Sequence, residues 1–182
     1  MAKLLDKIVV IDIESTCWNG SVPDGMKSDI IEFGICLLDV KTGEISDNRG
    51  ILVKPERSSV SSFCTELTTI TPQLIEDEGI SFKEACAIIR KQYSGQSRAW
   101  ASFGAYDQKQ FQRQCAALGV AYPFGPSHIN VKTLFALKQQ LSHEEGMAGA
   151  LTLLEIPLEG THHRGVDDAK NIAKVLNSVL RD

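Results

Sequence analysis

The chain has 182 residues, 43% hydrophobic and 23% charged, with a net charge of −4, which is enough apolar sequence for one sizeable core. That acidic balance argues against a protein that coats duplex nucleic acid with a broad basic face. It leaves room for a metal-dependent nuclease, whose acidic ligands depress the count while bound cations restore local positive potential. No cationic segment precedes a long apolar run and no apolar run reaches bilayer-spanning length, so neither secretion nor membrane insertion is expected and the chain reads as cytoplasmic.

The first strand-like run is Lys7–Glu14, and its apolar core Ile8-Val9-Val10-Ile11 runs on into Asp12-Ile13-Glu14. Ionised carboxylates are costly to bury unless they are paired or bind a metal. Alternation along a strand points Asp12 and Glu14 the same way, about 7 Å apart. Two acids so placed repel each other, and a divalent cation relieves the repulsion. A strand ending at Ile11 would instead leave both in a solvated turn, and this segment alone does not choose between the two.

The segment Asn19–Asp29 follows, rich in Gly, Ser, Pro and Asp, a connector or a loop that closes over substrate. Strands are expected over Asp29–Val40 and Asn48–Val53, joined as a hairpin through Lys41-Thr42-Gly43-Glu44. Thr71-Pro72 supplies a helix N-cap and a proline at the first helical position, and Ser81-Phe82-Lys83-Glu84 fits a capping box. A strand over Arg98–Phe103 leads to a helix over Tyr106–Leu118 with Gly119 beyond its end. A short strand at Ile129–Val131, helices over Thr133–Leu141 and around Gly149–Leu154, and a last helix over Val166–Leu180 complete the order. A meander followed by alternating helices and strands predicts a mixed β-sheet flanked by α-helices in a single α/β domain, residues 1–182. The five cysteines (Cys17, Cys36, Cys64, Cys86, Cys115) are scattered without C-x-x-C spacing, so they read as reduced packing thiols rather than a disulfide framework or a zinc site.

Two further acids occupy positions that periodicity assigns to apolar faces. Asp107 shares a helix stripe with Phe111, Cys115 and Leu118, although a first-turn aspartate is also favoured by the helix dipole. In the last helix Asp168 lines up with Ile172, Val175 and Val179. Its neighbour Asp167 lines up with Asn171, Lys174 and Ser178, which makes Asp168 the functional candidate and Asp167 the solvated one. His163 lies just ahead of that helix, where a surface position or a general base near a metal-bound acid are both open.

The set Asp12-Ile13-Glu14, Phe103-Gly104-Ala105-Tyr106-Asp107 and His163-x-x-x-x-Asp168 resembles the three motifs of the DEDDh 3′→5′ exonucleases, with Gly165 at a position usually held by alanine. The resemblance spans essentially the whole chain. It looks most like the branch of the histone-mRNA 3′ exonuclease and the KapD-like exoribonucleases, on Asp12–Cys17, Ile30–Gly34, Phe63–Thr68 and His163–Ala173. It implies a ribonuclease-H-like fold and hydrolysis of single-stranded RNA from 3′ ends to nucleoside 5′-monophosphates. Asp12, Glu14, Asp107 and Asp168 would hold two Mg²⁺ ions, Mn²⁺ substituting, with His163 as general base. Thr16 is implied near the terminal sugar, Phe63 and Leu67 near the last base, Tyr106 beside the metals, and Trp18 as a stacking lid or an exposed loop residue. Arg164, Lys132 and Lys170 are candidates for phosphate contacts. The same chemistry on single-stranded DNA is the alternative. A non-catalytic nucleic-acid-binding module is a third reading, disfavoured because such a module has no need for clustered like charges.

Overall fold

The computed structural model describes residues 3–181. A mixed five-stranded sheet in the order β3-β2-β1-β4-β5 forms its centre. The middle strand β1 (Leu4–Ser15) pairs antiparallel with β2 (Ile30–Asp39) and parallel with β4 (Arg98–Ser102), while β3 (Ile45–Leu52) and β5 (His128–Asn130) form the edges. Central strands covered on both faces read as continuous apolar runs rather than alternating ones, which is why Val9, Val10 and Ile11 are all buried and β2 is buried along nearly its whole length.

Helices cover the two faces. On one, α3 (Phe82–Gln92) and α4 (Tyr106–Leu118) pack Phe82, Ile89, Phe111 and Cys115 onto Val9, Ile11, Ile13 and Phe33. On the other, α5 (Val131–Lys138), α6 (Met147–Leu153) and α7 (Gly165–Arg181) pack Phe135, Leu151, Ile172 and Val175 onto Ile8, Val10, Cys36 and Leu38. The opposite inclinations of neighbouring side chains on β1 therefore send Ile11 and Ile13 to one core, and Val10, Asp12 and Glu14 towards the face of α7.

Local signals account for most boundaries. Thr71 caps α2 (Pro72–Glu78) through Leu74 N–H, and the Ser81–Glu84 box opens α3 reciprocally, as expected. Gly119 ends α4 in the left-handed conformation that an L side chain disfavours. Several boundaries differ. The strand expected at Ile129–Val131 ends at Asn130, because the Asn130 side chain accepts from Thr133 N–H and starts α5 at Val131; that helix stops at Lys138, short of Leu141. The edge strand β3 begins at Ile45 rather than Asn48, since Asp39 accepts from the Lys41 and Thr42 N–H groups and tightens the preceding turn. Helix α6 begins at Met147, ahead of the expected Gly149. A short helix α1 (Ser62–Thr68) occupies a stretch with no marked apolar period, capped by Ser61.

One close approach positions everything that follows. A Cβ on Gly34 would lie 1.7 Å from the Gly165 carbonyl carbon, and one on Gly165 would lie 3.2 Å from the Asp12 carbonyl oxygen. Backbone meets backbone here, and the first turn of α7 is thereby held against β1 and β2.

Candidate active site

Asp12 and Glu14 extend from the end of β1, and Asp168 from the first turn of α7. One carboxylate oxygen from each lies within 4.8 Å of the others. With Asp107, His163, His162, Tyr106, Phe103, Met147, Ile13 and Ile172 they line a cleft of about 250 Å³. The strand is therefore not broken at Ile11: both acids belong to β1 and face the same cavity. Asp107 is 4% exposed and accepts from Ile13 N–H at 3.1 Å, which fixes the start of α4 against β1.

The electrostatics are those of carboxylates crowded together in a buried site. Burial and then the neighbouring Asp107, Glu14 and Asp168 push Asp12 well above the ordinary carboxylate range. Burial, then Asp168, Glu32 and Asp107, raise Glu14 to about 9, against a smaller opposing effect of Arg164. Burial lifts Asp107 to about 6, partly offset by hydrogen bonds to its own backbone, to Ile13 N–H and to Ser102. Asp168 is raised by burial and lowered in part by the His163 N–H and by His162. Like-charged oxygens held this close without a cation must take up protons, and the all-oxygen donor set suits a hard divalent ion.

On α7 Asp168 turns into the cleft, 4% exposed, and Asp167 lies on the other face, which is not the solvated one expected. Asp167 accepts from Thr161 N–H at 2.8 Å, and Asn171 is fully buried, bonded to both Glu159 N–H and Glu159 C=O. Both residues hold the loop that carries the histidines onto α7. Within that loop His163 has φ 65, an uncommon left-handed conformation for a residue with a side chain. Its N–H donates to Asp168 Oδ2 at 2.8 Å, and burial followed by His162 keeps its imidazole below the ordinary value.

Of the expected substrate contacts, Tyr106 stands at the cleft rim, 52% exposed. Thr16 is turned inward, 1% exposed, with its hydroxyl accepting from Asp29 N–H and paired with Ser58 Oγ. Phe63 and Leu67 lie on α1, one turn apart, and neither joins a core; Leu67 is 38% exposed. Trp18 is partly exposed beyond the end of β1 and, like Phe63 and Leu67, does not line the cleft. The three candidate phosphate cations are engaged elsewhere: Arg164 with Glu32, Lys132 with Glu144 and Lys170 with Glu159.

Sequence reasoning missed Glu32. Its side chain is fully buried, directly across the sheet from Glu14, and accepts from Arg164 at 3.1 Å and from Gly165 N–H at 2.8 Å. A buried carboxyl needs such partners, and this one secures the start of α7. The available signal was an acid within the otherwise apolar Ile30-Ile31-Glu32-Phe33. Gln110 and Gln114 were missed as well; they are buried on α4 and bond Ser28 C=O and Ile30 N–H respectively.

The RNase_T exonuclease family matches residues 9–176 of this chain. The chain belongs to that family. Its structure superposes on the nuclease domain of 3′hExo, a DEDDh family member bound to rAMP, with a TM-score of 0.86 at 28% identity, covering 100% of this chain and 95% of that one. The DEDDh assignment and the ribonuclease-H-like fold expected from the motifs both hold. Among curated proteins, ERI1 exoribonuclease 2 of Mus musculus is 30% identical over 206 residues, spanning 100% of this chain and 30% of the relative. The 3′-5′ exoribonuclease 1 of Homo sapiens is 30% identical over 187 residues, spanning 97% of this chain and 53% of the relative. This exonuclease-family chain thus spans only about a third to a half of the length of those proteins. No helix among its described residues is long and apolar enough to cross a membrane, and its five cysteines are free thiols.

Proposed function

We propose that this chain, acting as one exonuclease domain in the cytoplasm, hydrolyses single-stranded RNA from the 3′ end and releases nucleoside 5′-monophosphates. The observation that carries the reading is the convergence of Asp12, Glu14 and Asp168 with His163 in one cleft. The binding of rAMP to the related nuclease domain supports a ribonucleotide product.

Asp12, Glu14 and Asp168 would hold one divalent ion, and Asp12 with Asp107 a second; Mg²⁺ suits these oxygens and Mn²⁺ substitutes. When bound, the pair supplies positive charge to the phosphate and to the departing 3′ oxygen. His163, kept largely unprotonated near neutrality by its surroundings, takes the proton from the attacking water. Asp168 steadies the His163 backbone through its accepted N–H bond. Tyr106 at the rim offers an aromatic face on which a terminal base stacks without sequence preference, and Phe63, Leu67 and Trp18 are the further base contacts that the resemblance implies. Thr16 acts indirectly, holding Asp29 and Ser58 beside the end of β1.

Digestion of 5′-labelled and 3′-labelled RNA and DNA oligonucleotides with Mg²⁺, Mn²⁺ or EDTA tests the reading. A ladder shortening from the 3′ end of RNA, present with either metal and absent with EDTA, is expected. Faster digestion of DNA would transfer the substrate to single-stranded DNA, and binding without metal-dependent shortening would leave a nucleic-acid-binding module.

A further inference from the structure

His162 is assigned no contact with substrate or metal in the proposed hydrolysis, yet it stands in the same cleft. Its Nδ1 lies 3.2 and 3.3 Å from the two oxygens of Asp168, and its side chain is 44% exposed. The left-handed turn at His163 brings the two successive rings to the same side, stacked 4.0 Å apart at 21°. One ligand atom from each of His162, His163 and Asp168 therefore lies within 4.8 Å of the others. Bonds of about 2.0–2.1 Å to a tetrahedral Zn²⁺ separate neighbouring ligand atoms by about 3.3 Å. The His162–Asp168 spacing already matches that edge, and the His163 ligand atom, within 4.8 Å of both, has to move inward to complete it.

We propose that His162, His163 and Asp168 form a Zn²⁺ site that competes with the hydrolytic metals for Asp168. Two imidazoles and one carboxylate with an open fourth position favour zinc, whereas Asp12, Glu14 and Asp168 offer only oxygens and favour Mg²⁺. The two donor sets share Asp168, so occupation of the first withdraws both that acid and His163 from catalysis. Zinc would then act as a reversible inhibitor, a consequence that rests on the function proposed above, whereas zinc binding itself does not.

Metal-stripped protein titrated with Zn²⁺ against a fluorescent chelator provides the test, with Co²⁺ absorption reporting tetrahedral nitrogen ligation. Removing even an outer partner of a metal ligand weakens affinity about 10- to 100-fold, so His162→Ala is expected to lose at least about tenfold in zinc affinity. Glu14→Gln, which removes a charge beside Asp168 but no ligand of this site, is expected to lose less zinc affinity than the His162 variant on the same scale. His162→Asn replaces His162→Ala if the latter melts early. Loss in Glu14→Gln without loss in the His162 variants would place zinc on the carboxylates and overturn the proposal, as would wild-type affinity no tighter than millimolar. In Mg²⁺-supported digestion, micromolar Zn²⁺ is expected to slow the wild type more than the His162 variant, each relative to its own zinc-free rate; equal slowing would also overturn it. If no metal supports digestion, the proposed hydrolysis fails while the zinc titration still decides this site.

Discussion

Asp167 and Asp168 are adjacent in sequence and chemically identical, yet one holds a loop and the other faces the cleft. Asp168→Asn is expected to reduce metal-dependent release of mononucleotides at least about a hundredfold, because a neutral ligand no longer offsets the cation. Asp167→Ala is expected to retain most activity and to lose about 1 kcal/mol of stability with the Thr161 bond, measured by denaturant titration. The neighbouring histidine gives a pH prediction. Its imidazole sits below the ordinary 6.5, and a general base works only when unprotonated. The acid limb of kcat/KM in Mg²⁺ should therefore have its midpoint below 6.5, and His163→Asn should lower the rate and remove that limb. Asp168 was legible because its stripe includes Ile172 and Val175; the duty of Asp167 was not, since the loop it holds arrives by tertiary contact.

At the scale of elements, the placement of α7 decides whether the site exists. Gly34 and Gly165 let its first turn reach the strands, and Glu32 accepts from Gly165 N–H and Arg164 to hold it there. Gly34→Ala forces a Cβ into backbone, and a displacement of α7 costing about 3 kcal/mol or more is expected, with activity lost in parallel. Glu32→Ala leaves Arg164 with only Thr69 Oγ1 and strips Gly165 N–H of its acceptor, at a cost of about 3 kcal/mol. Glu32→Gln should cost less, because an acceptor for Gly165 N–H remains. Equal melting of wild type and Glu32→Ala would contradict that account. Helix α4 was readable because its apolar stripe agrees with the glycine beyond its end, and α7 because its apolar stripe is sustained over several turns. Helix α1 was not, because it buries only Cys64 and Thr68 and its start is set by one serine cap. The start of α5 was misplaced for a related reason: Ile129 and Val131 suit a strand, and the Asn130 side chain overrides that preference.

For the whole molecule, the clustered acids link stability to metal and pH. The folded carboxyls of Asp12, Glu14, Asp107 and Asp168 all lie above their ordinary values, Glu14 at about 9 and Asp107 at about 6. The folded state therefore binds protons that the unfolded chain has released, and their contribution is complete below the unfolded values and lost as pH rises through the folded ones. In EDTA the melting temperature should fall between about pH 5 and pH 9, and Mg²⁺ should raise it most at the alkaline end, where the acids are ionised. A melting temperature independent of both would contradict the linkage. Sequence alone determined the apolar strand up to Ile11, the helices carrying Asp107 and Asp168, and the mixed sheet they belong to, because apolar periodicity and caps are local properties of the chain; pairing with β2 decided that the strand runs on through Asp12 and Glu14. Tertiary structure decided which acids share a cleft, that Glu32 secures α7, that Thr16 turns inward, and that His162 joins Asp168. The shared cleft and the role of Glu32 depend on segments far apart in sequence, brought together by the backbone approach at Gly34 and Gly165; Thr16 turns inward through its bonds with Asp29 and Ser58, and His162 reaches Asp168 through the left-handed turn at His163.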